Sequence, residues 1–435
     1  MDFPDPEAPE VAGLPDDPLV EILSRVPFRS LCRFKCVSKA WRDLIANPIH
    51  RCKLPQTLVG LFYEIHHRRD RDGDDEGAGD DNIRSHGWVG FVDLLGRSMP
   101  LVDPFFSFLR KLHGSESIRI MDTCHGLLLL DRGGYDFDSI PSYVVCNPAT
   151  KQWLAVPDFG WTPSPCNGMS VHLIFCPAMS SHVYLLQFTD DLFTSVTSVQ
   201  IFSSKTGAWT HSESAWSLEE KQAPCERWRY ESYSLEPERK RAVVNGMLYL
   251  ICDSLGEGPP VLDGDHIIAV DVEGKTRKFI PVPFRMCKEQ CSILSDFVGQ
   301  SQGLVHYVNH EEPEYYTNND GPSERSASEY NDDDDVEYEL FIWILPEGDT
   351  QELVLKHTVS FLHLFGEKSC KAGIDYNVVA IHPDRDVIIF KWNDKLISYY
   401  MDTGEVCALH TVSDSFGFAS YVPYFSELPA LSNKY

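Results

Sequence analysis

The sequence predicts a small all-α module of three helices followed by a large all-β domain, a β-propeller of about six blades. Three observations support this fold class. Apolar residues near the N-terminus recur at helical spacing, short β-branched and aromatic runs take over after residue 52, and two strand-pair elements alternate through the rest of the chain. A chain of 435 residues can bury one large core and form a small helical module besides.

The first predicted helix lies between Leu14 and Pro27. Its apolar side chains, spaced three, one and three positions apart, are those of Leu19, Ile22, Leu23 and Val26. Asp16 or Asp17 can cap its N-terminus, Pro18 suits its first turn, and Pro27 ends it. The pattern therefore predicts one short amphipathic helix.

Two more short helices are predicted before residue 48. Ser30 can cap the second and Ser38 the third, which Asn47 and Pro48 terminate. Such a bundle has little core, yet eight apolar positions belong to it: Leu14, Pro15, Leu19, Ile22, Val26, Pro27, Leu31 and Trp41. Three short helices do not readily bury so much apolar surface, which favours a protein partner; the alternative is packing onto the rest of the chain.

The same residues resemble the F-box almost position by position. The matching phrases are Leu14-Pro15-Asp16-Asp17, Glu21-Ile22-Leu23, Arg25-Val26-Pro27, Ser30-Leu31, Arg33-Phe34-Lys35-Cys36-Val37-Ser38-Lys39 and Trp41. One position departs from the common pattern, because Val26 stands where many F-boxes have leucine before the proline. This volume-similar change should cost little stability. The resemblance covers about a tenth of the chain.

The F-box resemblance implies a partner rather than a reaction. It implies binding to a Skp-type adaptor, which in turn holds the cullin and RING subunits of a ubiquitin ligase. Ten residues should divide between adaptor contact and the internal core: Leu14, Pro15, Leu19, Ile22, Leu23, Val26, Pro27, Leu31, Val37 and Trp41. We therefore expect the substrate-recognition subunit of an SCF-type E3 ubiquitin ligase, which captures a target protein through its β-domain.

The region after residue 54 has an all-β texture. Five segments share two strands joined by a polar turn, and they begin at Tyr143, Val199, Ile267, Leu340 and Leu396. A second element, a small turn before an apolar strand, recurs in residues 124–130, 244–252 and 301–308. Residues 58–64 with 87–94 can supply another blade, which makes about six. A β-sandwich is the alternative architecture.

Three domains are therefore predicted: a flexible acidic tail at 1–11, an F-box helical domain at 12–54, and a β-propeller-like substrate-binding domain at 55–430. Two acidic runs, 68–84 and 310–339, are rich in Gly, Ser, Asn and Asp and are expected to be surface loops. The β-region also resembles the kelch-like F-box-associated domain of plant F-box proteins, on the phrases CHGLLLL, CNPATKQW and NGMLYL.

The charge of the chain limits the classes of partner. The formal net charge is -27, from 65 acidic and 38 basic residues, so the average surface repels phosphate and anionic lipid. We expect neither nucleic acid nor membrane as a partner. The N-terminus resembles no signal peptide, and no window approaches the roughly 18 apolar residues of a membrane span. We expect a cytoplasmic and/or nuclear protein with reduced cysteines.

No catalytic residue, cofactor or metal ligand is predicted. The chain lacks GxSxG, Walker-type glycine-loop, HExxH and CxxC patterns. Cys32 with Cys36, and Cys287 with Cys291, have helical spacing but no second ligand pair nearby. Residues 70–81 depart from a calcium-binding loop at its sixth and twelfth positions.

Two further features have structural interpretations. Cys124 and His125 could suggest an activated thiol, but neighbours on a strand point to opposite faces, so we expect no hydrogen bond between them. Three tryptophans at hairpin positions are expected to pack between blades: Trp153, Trp209 and Trp343.

Two alternative functions stay open. The first is an F-box protein in a non-degradative adaptor complex. The second is a propeller sugar-binding or hydrolytic protein with an incidental helical cap, which would need polar side chains converging at the propeller axis.

Overall fold

The computed structural model describes residues 15–26, 28–34, 37–47, 50, 58–65, 88–96, 102–109, 118–132, 142–158, 167–191, 195–212, 233–235, 241–254, 266–283, 296–311, 338–348, 350–367, 376–413, 415–431 and 433–434. No helix among these residues is long and apolar enough to cross a membrane.

Three helices form the N-terminal module, as predicted: α1 (Asp16–Ser24), α2 (Phe28–Phe34) and α3 (Lys39–Ala46). The predicted cap of α1 was wrong. Pro15 occupies the N-cap position without a side-chain hydrogen bond, and Asp16 and Asp17 lie within the first turn. There their carboxylates still favour the positive end of the helix dipole.

Of the predicted N-caps of the other two helices, that of α2 was wrong and that of α3 is confirmed. Because α2 begins at Phe28, Ser30 lies inside the helix and cannot cap it. Ser38 is the N-cap of α3, and its hydroxyl oxygen accepts a hydrogen bond from the Trp41 backbone N–H at 3.2 Å. α3 ends before Asn47, as predicted.

The remaining elements are almost all strands. In chain order they are β1 (Gly60–Ile65), β2 (Trp88–Asp93), a 3-10 turn (Ser107–Leu109), β3 (Arg119–Cys124), β4 (Leu127–Asp131), β5 (Tyr143–Asn147), β6 (Gln152–Ala155), β7 (Asn167–Ile174), β8 (Tyr184–Asp191), β9 (Ser195–Ser203), β10 (Ala208–Ser212), β11 (Tyr233–Leu235), β12 (Ala242–Val244), β13 (Met247–Ser254), β14 (His266–Val270), β15 (Thr276–Pro281), β16 (Phe297–Ser301), β17 (Leu304–Glu311), β18 (Glu339–Leu345), β19 (Val354–Ser360), α4 (Phe361–Phe365), β20 (Tyr376–Ile381), β21 (Val387–Trp392), β22 (Lys395–Tyr400), β23 (Glu405–Thr411), β24 (Ser415–Tyr421) and β25 (Asn433–Lys434).

The strands form six sheets, which are the blades of a β-propeller. Blade 1 has the order β2-β1-β24, blade 2 β25-β6-β5-β4-β3, blade 3 β10-β9-β8-β7, blade 4 β11-β13-β14-β15 with β12 beside β13, blade 5 β16-β17-β18-β19, and blade 6 β20-β21-β22-β23. The prediction of about six blades is confirmed, and the β-sandwich alternative is wrong.

Blade 1 closes the ring, because it combines the first two strands of the domain with β24 from near the C-terminus. Gly60 pairs with Tyr421, and Phe62 pairs with Ala419. A second C-terminal strand, β25, adds to the edge of blade 2, where Asn433 pairs with Trp153. Both ends of the β-domain are therefore held by backbone pairing.

A buried apolar core joins each pair of neighbouring blades. Members contributed by the two sides are Phe62 and Leu128 for blades 1 and 2, Leu129 and Leu173 for blades 2 and 3, Ile201 and Val270 for blades 3 and 4, Ile267 and Val298 for blades 4 and 5, Ile342 and Ile388 for blades 5 and 6, and Ile389 and Leu61 for blades 6 and 1. The six seams are thus apolar, and the ring of blades is continuous.

All five predicted hairpins are present: β5–β6, β9–β10, β14–β15, β18–β19 and β22–β23. The second predicted element links β3 to β4 in blade 2, β12 to β13 in blade 4 and β16 to β17 in blade 5. Its turns are His125–Gly126, Asn245–Gly246 and Gln302–Gly303, each with two positive φ angles. Two successive positive φ angles are typical of a tight type I′ hairpin turn.

The acidic runs fall mostly outside the described residues. Residues 68–84 are entirely outside them. β17 extends to Glu311 and β18 begins at Glu339, so strands occupy both ends of the predicted loop 310–339.

Candidate functional site

The helical module buries one small apolar cluster to which all three helices contribute. Its members are Val20, Leu23, Leu31, Leu44 and Ile45, with Leu19, Val26, Phe34 and Trp41 partly buried against them. The rings of Phe34 and Trp41 meet edge to face, with centroids 5.3 Å apart. Val20 was not in the predicted apolar face of α1, because that face was defined by the spacing of Leu19, Ile22, Leu23 and Val26, which does not include it.

The ten residues that the F-box resemblance singled out fall into four groups. Leu23 and Leu31 are buried; Leu19, Val26 and Trp41 are partly buried; Pro15, Ile22 and Val37 are exposed; Leu14 and Pro27 lie outside the described residues. The structure therefore separates internal core from surface among the described members, although Leu23 directly follows Ile22 in sequence.

Ile22 and Val37 are apolar side chains that the module leaves in solvent. Their exposed fractions are 52% and 65%, and neither belongs to the apolar cluster. Beside Ile22, Glu21 and Arg25 form an exposed ion pair at 2.6 Å, which contributes little to stability. Apolar residues with charged neighbours have the composition of a protein-binding surface, with an apolar centre and a polar rim. We call Ile22 and Val37 the apolar pair.

Cys124 and His125 contact each other, so the prediction that they form no hydrogen bond was wrong. His125 lies in a turn, with φ 46°, and its Nδ1 is 3.6 Å from Cys124 Sγ. The buried thiol donates a hydrogen bond to the Phe175 carbonyl at 3.3 Å, and burial raises the pKa of Cys124 to about 12. A thiol that stays protonated at neutral pH is a poor nucleophile, so its role here is structural.

No metal centre emerges from the described part of the chain, where no three His, Cys, Asp or Glu side chains could together hold an ion. Cys32 lies in α2, but its side chain is not among those described. The other candidate positions, Cys36, Cys287, Cys291 and residues 70–81, lie outside the described ranges.

The three hairpin tryptophans pack between blades, as predicted. Trp209 Nε1 donates a hydrogen bond to the Pro157 carbonyl of the preceding blade at 2.8 Å. Trp153 packs against the core of blades 1 and 2, and Trp343 against that of blades 4 and 5. These rings serve the fold rather than a ligand.

Comparison with known families identifies the helical module. The F-box domain family matches residues 12–53. This match includes the apolar pair and all residues of the apolar cluster of the helical module.

Two relatives from Arabidopsis thaliana match stretches much longer than the F-box domain, and a third matches a short stretch. F-box protein At5g07610 is 28% identical over 210 residues, which are 45% of this chain and 44% of that protein. A relative named as an F-box/kelch-repeat protein is 24% identical over 213 residues, 45% of each chain. F-box protein At3g49450 is 57% identical over 35 residues, 8% of this chain and 9% of that one. The chain thus spans less than half the length of these curated relatives.

One solved structure with a broad overlap is the GH93 α-L-arabinofuranosidase of Fusarium graminearum. It is 12% identical, with a TM-score of 0.36, over 68% of this chain and 81% of that chain. So low a score supports no conclusion about activity. The family match, the relatives and the six sheets together show that this chain carries an F-box domain at its N-terminus, followed by a six-bladed β-propeller.

Proposed function

We propose that the chain is the substrate-recognition subunit of an SCF-type (Skp adaptor, cullin, F-box) E3 ubiquitin ligase. The F-box domain binds a Skp-type adaptor and, through it, the cullin and RING subunits, while the propeller holds a target protein. No residue of this chain takes part in the chemistry of ubiquitin transfer. The chain acts by raising the effective concentration of the target beside the conjugating enzyme.

The observation that carries the proposal is the exposure of the apolar pair. Five other apolar residues already fill the core of the F-box domain, and folding leaves 52% of Ile22 and 65% of Val37 exposed. Complete burial of a large aliphatic side chain is worth about 1.5–3 kcal/mol, and each of these retains roughly half of that for a partner. A partner that covers both would gain a substantial part of its affinity from them.

Binding of the purified chain to a purified Skp-type adaptor tests the proposal. The variants are Ile22→Glu and Val37→Glu, and the matched control is Met179→Glu on the propeller, where the side chain is 69% exposed. Each F-box variant should bind the adaptor at least about tenfold more weakly, because a charge would be buried without a partner. The control should bind like the wild type.

Two results would contradict the proposal. One is a folded wild-type chain that does not bind the adaptor, and the other is unchanged binding in both F-box variants. If binding is found, reconstitution of the ligase with a captured target distinguishes the degradative role from a non-degradative assembly, since only the former transfers ubiquitin to that target.

A further inference from the structure

The seam between blades 5 and 6 concentrates histidines. In the described part of the chain, four histidine side chains lie along this seam: His306, His310, His357 and His363. Between them lies the apolar core that includes Ile342 and Ile388. The seam therefore combines apolar packing with histidine contacts between the two blades.

His306 lies at the base of a charged cluster. Its Nε2 is 3.2 Å from Lys356 Nζ, and its Nδ1 is 3.3 Å from the Leu304 carbonyl. An ammonium group only donates hydrogen bonds, so Nε2 accepts and Nδ1 carries the proton. Lys356 also donates to Asp386 Oδ1 of blade 6 at 2.6 Å, and Gln302 Nε2 donates to the same atom at 3.0 Å. Neutral His306 thus supports a lysine that bridges the two blades.

The other three histidines reach blade 6 directly. His357 Nε2 is 2.7 Å from Tyr399 Oη, and His310 Nδ1 is 2.8 Å from Tyr376 Oη. His363 Nε2 donates to the Gly404 carbonyl at 2.6 Å. His310 is further enclosed by the rings of Tyr338 and Phe361, which leave it little water.

The surroundings of the charged cluster oppose protonation. Burial, and then the charge of Lys356, lower the pKa of His306 to about 4, although Asp386 acts in the opposite direction. Burial lowers the pKa of His357 as well, again with Asp386 opposing and Lys356 assisting. At the adjoining loop of blade 6, burial and Arg385 lower the pKa of His382 to about 4.

We propose that the seam between blades 5 and 6 is an acid-sensitive joint, which opens as the pH falls from neutral towards 5. Protonation of His306 places a second positive charge against Lys356 and removes the acceptor that supports it. The bridge from Lys356 to Asp386 then weakens, and the two blades separate along their histidine contacts.

Proton linkage determines whether acid favours the open or the closed seam. In the closed seam His306 takes up a proton only near pH 4, whereas in an open, hydrated seam it does so near its ordinary 6.5. Between these values the open state binds more protons, so acid favours opening. For this one histidine the opening equilibrium at pH 5 exceeds that at pH 7.5 by about 25-fold. His357 shifts the balance in the same direction.

Hydrogen exchange of the full chain at pH 7.5 and pH 5.0, corrected for the intrinsic rate, tests the joint. Backbone amides in residues 304–310 and 376–382 should open at least about tenfold more at pH 5.0, and those of blade 2 should not. His306→Gln keeps an acceptor for Lys356 but does not titrate, so it should remove most of this increase. His410→Gln, on the exposed outer strand of blade 6, is the matched control and should behave like the wild type.

Should His306→Gln fail to fold at pH 7.5, His357→Gln provides the second variant, with a smaller expected reduction. Equal acid-induced exchange in all six blades would overturn the proposal. So would an unchanged increase at the seam in a folded His306→Gln chain. Neither outcome depends on whether the chain binds an adaptor.

Discussion

The side-chain amide of Gln152 forms a two-way hydrogen-bonded pair with the backbone of Leu428. Its Oε1 accepts from the Leu428 N–H at 2.9 Å, and its Nε2 donates to the Leu428 carbonyl at 3.2 Å. The same Nε2 lies 3.2 Å from the Leu431 carbonyl, and Asn147 donates to the Tyr424 carbonyl at 2.8 Å. Two buried amides of blade 2 thus hold residues 422–431, which we call the C-terminal segment.

Replacing Gln152 with methionine should loosen this attachment. The substitution keeps the volume but leaves the buried N–H of Leu428 without its partner, while the Leu428 carbonyl still accepts from the Leu431 N–H. Unsatisfied buried backbone groups cost about 1–3 kcal/mol, so we expect the free energy of unfolding to fall by that amount. Chemical denaturation measures it. Lys205→Met, in the exposed turn of the corresponding hairpin of blade 3, should change stability by less than about 0.5 kcal/mol; equal losses in the two variants would contradict the role given to Gln152.

The C-terminal segment also explains why one turn glycine differs from another. Gly126 and Gly303 occupy equivalent turns, with φ of 86° and 76°. A Cβ at Gly126 would lie 2.5 Å from the Val422 carbonyl oxygen and 2.6 Å from Tyr424 N, whereas a Cβ at Gly303 would meet nothing within 4 Å. The first position therefore carries a steric restriction that the second does not.

Alanine at each of these two glycines should separate backbone strain from displacement of the C-terminal segment. Both variants pay about 1–2 kcal/mol for a left-handed conformation with a Cβ. Only Gly126→Ala must also move the C-terminal segment, so it should lose at least about 2 kcal/mol more. Thermal and chemical unfolding of both variants give the comparison. Equal losses of stability in the two variants would show that the C-terminal segment can move aside without a loss of free energy.

Some local relationships in this fold were predictable from sequence, because both partners lie within a few residues, although the caps of α1 and α2 were not. Ser38 caps the Trp41 amide three positions away, and each hairpin carries its own turn residues. The attachment of Leu428 to Gln152 spans 276 positions and leaves no periodic signal. The sequence around Gln152 predicted a hairpin, but it did not predict that this hairpin binds the C-terminal segment.

The candidate site was predictable to the same extent. The F-box pattern placed Ile22 and Leu23 together as apolar positions of one helix, which they are. Which of the two is buried depends on the angles at which α2 and α3 pack against α1. The hydrophobic spacing within α1 alone does not predict those angles. Exposure of Ile22 at 52% against 1% for Leu23 is therefore information that only the packed module supplies.

A buried ion pair joins three blades. Arg241, just before β12, lies against Asp122 of β3, whose second carboxylate oxygen accepts the Leu173 N–H of β7. Burial lowers the pKa of Arg241 to about 9, which still leaves it charged at neutral pH. Arg241→Met should lower the free energy of unfolding by about 3–5 kcal/mol, because it isolates a buried carboxylate.

The double variant Arg241→Met, Asp122→Asn tests that reason. Asparagine keeps an acceptor for Leu173 and carries no charge, so the double variant should be at least about 1 kcal/mol more stable than Arg241→Met alone. Chemical denaturation at pH 7.5 compares the three proteins with the wild type. A double variant less stable than the single one would mean that the charge of Asp122 is compensated elsewhere.

His172 predicts a separate acid sensitivity in blade 3. The ring is buried near Phe188, and neither ring nitrogen has a hydrogen-bonding partner in the described part of the chain. Burial lowers the pKa of His172 to about 3. The folded chain therefore stays unprotonated at this site while the unfolded chain takes up a proton below pH 6.5, so stability that is present above pH 6.5 is lost progressively down to about pH 3.

His172→Leu should remove this loss. Relative to the wild type, the variant should gain about 2 kcal/mol more at pH 5 than at pH 7.5, because only the wild-type site forgoes a proton there. Denaturant unfolding at both pH values measures the difference, and His410→Leu, at an exposed position, is the control. The histidines of the seam between blades 5 and 6 are present in all three proteins, so their contribution cancels. A gain that is the same at both pH values would mean that His172 is protonated in the folded chain, and that the absence of a hydrogen-bonding partner does not keep it neutral.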